Sequence, residues 1–174
     1  GLGDVYKRQE EKRMNEVIQK TIQIEENKEY VFRNQVDFCI GTGRMGLALT
    51  KEYQEQLSLV QKEIGFSHIR GHGLFCDDIG IYQETPEGES EYNFTYLDRV
   101  MDSYISLGLR PFLELGFMPQ KMASGTQTIF YWKGNTTPPA SYKKWTDMVT
   151  ALLSHLCERY TTDEAVSYTH LRAH

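Results

Sequence analysis

Three times between residues 36 and 160 the chain passes from a short apolar run into a segment whose apolar residues recur every three or four positions. The first run, 36–41, ends in glycine and leads to Leu49, Tyr53, Leu57, Val60 and Ile64, with Gly65 as the stop. The second, FSHIRGHG at 66–73, is followed by an acidic, turn-prone stretch, QETPEGESE at 83–91. Thr95 then caps a face made of Leu97, Val100, Met101, Tyr104 and Leu107, which Gly108 closes. The third run, RPFLELG at 110–116, precedes a long Gly-, Thr- and Pro-rich loop, 117–140. Ser141 caps the last face, Trp145, Met148, Val149, Leu152 and Leu156. Spacings of three and four put each set on one side of a helix. Repeated strand–helix units require an α/β fold with a parallel sheet, either doubly wound or a closed (β/α)8 barrel. Residues 10–37 are polar, with a helix expected near 14–21 and a strand at 30–32. They read as a lead-in or the edge of an accessory domain.

The two ends have a different character. GLGDVYKRQ at 1–9 and VSYTHLRAH at 166–174 are encoded by one inverted repeat: a codon choice for the first, reverse-complemented and read from its third base, yields the second. That DNA resembles the transposase mosaic end and adapter of sequencing libraries. Residues 1–9 and 166–174 are therefore read as sequencing-adapter artefact, with Ala165 at the junction.

Setting those ends aside removes one acid, Asp4, and three bases, Lys7, Arg8 and Arg172, so the formal charge moves from −5 to −7. A mildly acidic chain lacks the basic footprint of a nucleic-acid binder. No apolar stretch approaches the ~20 residues of a membrane span, so neither partner is expected. Cys39, Cys76 and Cys157 are odd in number and widely spaced. They read as reduced, mostly buried thiols rather than a disulfide frame or metal site, and the expected compartment is the cytoplasm. No cofactor is expected.

GTGRMG at 41–46 fits the G-x-G-x-x-G dinucleotide fingerprint and tests that last expectation. A nucleotide site also needs an acid at the end of the next strand to hold the ribose. Here the next strand ends Arg70-Gly71-His72-Gly73, and Glu63 falls in the last turn of a helix. The glycines read instead as a tight strand-to-helix turn.

Ligands of parallel α/β folds bind at the carboxyl ends of the strands. Those ends deliver Arg44, then His72 and Gly73 with Cys76, Asp77 and Asp78 behind them, then Phe117 and the loop carrying Phe130, Tyr131 and Trp132. Aromatic faces with charged groups at one mouth suit a polyhydroxylated ligand. Each residue also has a structural reading: His72 as a residue of close backbone approach, Asp77 and Asp78 as a turn cap, the aromatics as loop anchors, Glu114 as a buried polar strand residue. His68 and His155 read as structural. Asn93 and Asn135 open glycosylation sequons that matter only in a secreted eukaryotic chain.

The strings CIGTGRMGLAL (39–49), IRGHGLFCDDIGIY (69–82), YNFTYLDRVMDS (92–103), RPFLELGFMP (110–119) and ASGTQTIFYWKGN (123–135) occur in order. Together they resemble the amino-terminal part of the catalytic barrel of glycoside hydrolase family thirty-nine, specifically its bacterial β-xylosidases. The likeness runs from about residue 38 to 160; residues 10–37 match nothing in it. It implies that residues 38–165 are about the first three βα units of a (β/α)8 TIM barrel. The implied enzyme is a retaining glycosidase acting on β-xylosides, as in xylan degradation, and the full-length protein could be a homo-oligomer.

The family's acid/base, in an Asn-Glu-Pro motif after strand four, and its nucleophile, after strand seven, lie beyond this chain. The fragment is therefore expected to be inactive, and neither Glu114 nor Glu164 takes their place. His72 matches the family histidine that hydrogen-bonds the sugar at the cleaved bond. Arg44, Gly73, Phe117 and Tyr131 match family strings at the barrel mouth, so these five are the expected substrate-binding residues. The alternatives are another specificity of the family, α-L-iduronidase-like, and a non-catalytic carbohydrate-binding α/β protein.

Overall fold

A computed structural model describes residues 21–22, 35–168 and 172–173. The chain divides into two units, Gly1–Arg33 and Asn34–His174, and every element below belongs to the second. The strand expected at 30–32 and nearly all of the helix expected at 14–21 lie outside the described residues.

Three parallel strands, β1 (Cys39–Arg44), β2 (His68–His72) and β5 (Arg110–Leu115), form the sheet together with a short fourth at its edge, β8 (Arg172–Ala173). They neighbour one another in chain order, with no reversal. β1 starts and ends later than the sequence reading placed it. Val36 is 77% exposed, so the apolar start gains nothing by joining the sheet, while Arg44 pairs with His72 across the extended end. The register shifts between Gly41 and Arg44, and Gly43 there has φ +77°, a conformation that costs glycine little. GTGRMG is thus no tight turn into a helix. Its first four residues are an irregular strand end, Met45–Leu49 is a 3₁₀ turn, and helix α1 (Lys51–Glu63) opens only afterwards.

The sheet sorts its side chains by alternation. Ile69 of β2 and Leu113 of β5 are buried beneath the helices, while Arg70 and His72 take the other face. The helix-side core collects Leu57 of α1, then Leu97, Val100, Met101 and Tyr104 of α2 (Thr95–Ser106). Met148, Leu152 and Leu156 of α3 (Tyr142–Tyr160) complete it. The faces read from spacing are those that pack. Gly65 and Gly108, at φ +78° and +74°, close α1 and α2 where expected.

The two helix starts differ from one another. Ser141 caps α3 as expected, its hydroxyl accepting from the Lys144 N–H at 3.3 Å. Replacing it with alanine will cost about 1 kcal/mol, read as a lowered midpoint in urea. Thr95 does not cap α2; it is the first helical residue, and its N–H is taken by Asn93 Oδ1 at 2.9 Å. Asn93 sits two residues back, where a side-chain oxygen reaches a helix-starting N–H.

Two expected loops contain hairpins. Residues 83–91 fold as β3 (Tyr82–Glu84) and β4 (Ser90–Tyr92), antiparallel, with Thr85 and Gly88 in the turn. Lys144 Nζ fastens this hairpin to α3, donating to Glu84 Oε1 and to the Gly88 carbonyl at 2.8 Å each. Within 117–140, β6 (Thr128–Ile129) pairs with β7 (Gly134–Asn135). Beyond α3, helix α4 (Thr162–Ser167) leads to Tyr168, which is buried in the core, and β8 (Arg172–Ala173) pairs in parallel with β5. An open parallel edge offers its N–H and C=O groups to any extended backbone, whatever the side chains.

Candidate functional site

The carboxyl ends of the three strands meet at one mouth. Register sets the partners: Arg70 lies opposite Phe112 and Gly71 opposite Leu113, which brings His72 level with Glu114 on the face away from the helices. Glu114 is only 2% exposed, and its two oxygens are divided. His72 Nδ1 lies 2.7 Å from Oε2, and the Arg70 guanidinium pairs with Oε1. Carboxylate oxygens only accept, so the imidazole N–H donates to Glu114.

Beside this network opens a cleft of about 450 Å³, lined by Gly73, Glu114, Phe117, Asn135, Tyr142 and Trp145 among others. It has the size and the mix of aromatic walls and few polar groups of a small-molecule site. Of the five residues named from sequence, Gly73 and Phe117 line it, while His72 does not but bonds Glu114, which does. Arg44 lies in an adjoining pocket of about 230 Å³ with Cys76, Asp77, Asp78 and Trp132. There it is ion-paired to Asp78, and its Cζ stands 5.9 Å from the Trp132 ring centre. Tyr131, 89% exposed at the turn between β6 and β7, lines neither.

The other loop aromatics follow the anchoring reading. Phe130 and Trp132 stack at 5.2 Å, and both meet the Phe117 ring edge-on, at 6.1 and 5.0 Å. Phe117 follows a cis peptide bond from Gly116. Asn135 is 8% exposed and fully used, donating to the Gly125 carbonyl and accepting from the Thr137 N–H and hydroxyl. Its sequon therefore serves the loop's own hydrogen bonding. His68 leans on Phe38 at the opposite end of β2. His155 bonds Asp98 Oδ1 at 2.6 Å while stacked on Phe94, tying α2 to α3.

The glycines follow from contacts around this mouth. A Cβ on Gly46 would come 2.0 Å from Asp78 Oδ2, and one on Gly73 would come 2.8 Å from Cys76 Sγ. Asp77 Oδ1 accepts from the Gln120 N–H at 3.3 Å, and burial raises its carboxyl above the ordinary value. Burial, with the carboxylates of Asp78 and Asp77 adding, pushes the Cys76 thiol up to about 11; a hydrogen bond from the Phe117 backbone and the Arg44 charge oppose this. Thiolate is the reactive form, so at pH 8 iodoacetamide will label Cys76 about 100-fold more slowly than an ordinary thiol, two pKa units being about a hundredfold in thiolate. Labelling at the ordinary rate, followed by peptide mass spectrometry, would show the thiol to be ionised or solvated. Among the described residues no group of three or more His, Cys, Asp or Glu is placed to hold a metal ion, and no helix is long and apolar enough to cross a membrane.

The sequence profile of the glycosyl hydrolases family 39 matches residues 20–170. The chain belongs to this family. The match begins inside the segment read as a lead-in without relatives, so the later part of 10–37 is family sequence. A family 39 chain similar to this one is a β-xylosidase from Geobacillus stearothermophilus, 55% identical over 148 residues, 83% of this chain. Another, from Caldicellulosiruptor saccharolyticus, is 38% identical over 126 residues, 72% of this chain. The chain spans 29% and 26% of the lengths of these two relatives. Among solved structures, a monomeric β-xylosidase from Caulobacter crescentus CB15 superposes with a TM-score of 0.72 at 36% identity, covering 79% of this chain and 27% of that one.

Arg70 was not singled out from the sequence, and Glu114 was read as a polar residue of strand three. The signal was present: Arg70 and His72 alternate on β2, and Glu114, two residues before Gly116, is the one acid in β1, β2 and β5.

Proposed function

We infer that the chain is the amino-terminal part of a (β/α)8-barrel enzyme that hydrolyses β-xylosides with retention of configuration. The observation that carries this reading is the 55% identity to a β-xylosidase over 148 residues. The sequential order of β1, β2 and β5 supports it, since a barrel adds strands in chain order. In this reading β8 occupies the edge where strand four belongs, and residues 1–9 and 166–174 are adapter-derived.

The cleft beside Glu114 is one wall of the sugar site. Phe117, Tyr142 and Trp145 cover apolar ring faces, and His72 hydrogen-bonds a hydroxyl. The two catalytic glutamates of a retaining enzyme stand about 5–5.5 Å apart, and in this reading both come from strands that follow residue 164. Glu114 is committed to Arg70 and His72, and Glu164 lies on α4, 3.8 Å from Arg110 Nε.

Reading the source DNA past the codon for Glu164 tests the assignment. An Asn-Glu-Pro triplet within about one strand length, roughly five to fifteen residues, is expected. A strand end without glutamate there would point instead to a carbohydrate-binding protein.

A further inference from the structure

We propose that Glu114, clamped by Arg70, is the positioning residue that keeps the His72 proton on Nδ1 and so makes Nε2 an acceptor for one sugar hydroxyl. The inference rests on the cleft being the xyloside site.

A neutral imidazole carries one donor and one acceptor nitrogen, and the partner of one nitrogen decides the state of the other. His72 Nδ1 lies 2.7 Å from a carboxylate oxygen that can only accept. The proton is therefore on Nδ1, and the Nε2 lone pair is left to take a hydroxyl proton.

Arg70 supplies the second half of the device. A buried carboxylate with the imidazole as its sole partner favours the doubly protonated ring, because an uncompensated charge is costly out of water. The guanidinium on Oε1 provides that compensation, and Glu114 needs no second charge from His72. With the ring neutral, Nε2 accepts; as an imidazolium it would donate, and the preferred hydroxyl geometry would change.

Strand pairing delivers the arrangement. Arg70 and His72 share one face of β2, and Glu114 reaches both from β5. A one-residue slip would turn Glu114 toward the helices. The imidazole is 36% exposed against 2% for Glu114, so in this proposal it is the member of the network with surface open to a ligand.

The test uses the full-length protein containing this chain, unsubstituted and as E114Q. Glutamine keeps the shape but presents an amide that can donate or accept, which releases the tautomer. Imidazole ¹⁵N spectra of the unsubstituted protein, with His72 assigned from a His72→Gln spectrum, should show hydrogen on Nδ1. Aryl β-xyloside substrates lacking one ring hydroxyl at a time provide the second readout. In the unsubstituted protein, removing the hydroxyl that meets His72 should lower kcat/KM about three- to tenfold, as for one hydrogen bond. In E114Q that same removal should change kcat/KM less than about twofold, leaving the other deoxy penalties as they were.

An E114Q variant that lowers kcat/KM by one factor for every substrate would make Glu114 merely structural and overturn the proposal. Hydrogen on Nε2 in the unsubstituted protein would overturn it also, with no variant needed if E114Q fails to fold. Failure to hydrolyse any β-xyloside would refute the function, while the ¹⁵N spectrum would still decide the tautomer.

Discussion

Replacing Arg70 with methionine will destabilise the full-length protein by about 3 kcal/mol. Removing one partner from a buried ion pair leaves the other charge uncompensated, which typically costs about 3–5 kcal/mol. The lower end applies because the Arg70 side chain is 35% exposed, so water already shares part of its charge. The loss falls on Glu114, which is 2% exposed and loses the Arg70 charge while its bond to His72 remains. Converting Glu114 to leucine in the same chain should recover most of the loss, since an apolar replacement of the whole pair is often neutral. Urea unfolding of the single and double variants separates these effects. A single-variant loss below about 1 kcal/mol would mean that Glu114 is not held by Arg70 in solution, and the proposed clamp on His72 would fail with it.

The second large effect concerns the 174-residue chain on its own. It will release no aryl alcohol from an aryl β-xyloside above the buffer rate, while the full-length protein turns over at an ordinary glycosidase rate. In the proposed reading both catalytic carboxylates come from strands after residue 164, and general acid–base catalysis alone contributes about 10²–10⁴-fold. Its folding should suffer too. Arg70, His72 and Glu114 occupy a sheet face that a closed barrel would enclose, and open edges recruit other chains. Broad, non-cooperative thermal unfolding or aggregation is expected, monitored by near-UV circular dichroism and light scattering. A sharp monomeric transition would refute the folding half of this prediction, and hydrolysis by the short chain would refute the catalytic half.

What the sequence made legible was local. Spacing of three and four found the buried faces of α1, α2 and α3, because a helix displays its pattern within a few turns. Gly65, Gly108 and Ser141 were readable because helix ends are solved by residues one or two positions away. Pairing between distant segments was less legible. The hairpin at residues 82–92 uses strands of three residues, too short for alternation to stand out, and its composition is that of a turn. β1 ends at Arg44 rather than Gly41 because its limits depend on where β2 ends. The Arg70–Glu114–His72 network joins residues 42 and 44 positions apart, and only the register of two parallel strands places them together.

The glycine string shows both limits. GTGRMG carried the letters of a nucleotide site without the following acid, and sequence was enough to set that reading aside. The actual reasons for its glycines were out of reach: a positive φ at Gly43 in an irregular strand end, and the Asp78 carboxylate against Gly46. At the mouth, Gly73 and Phe117 line the cleft and His72 stands behind Glu114, while Arg44 went to the neighbouring pocket and Tyr131 to the surface. Residues 130–133 form the turn between β6 and β7, entered at a positive φ of 63° on Phe130. There Phe130 and Trp132 meet Phe117 while Tyr131 turns away.

The most direct measurement is the anomeric configuration of the first sugar released when the full-length protein is mixed with an aryl β-xyloside, followed by proton NMR before mutarotation. Release of β-xylose is expected, the product of double displacement through a covalent intermediate. Release of α-xylose would place the carboxylates in an inverting arrangement, and no release at all would remove β-xyloside hydrolysis as the function of this cleft.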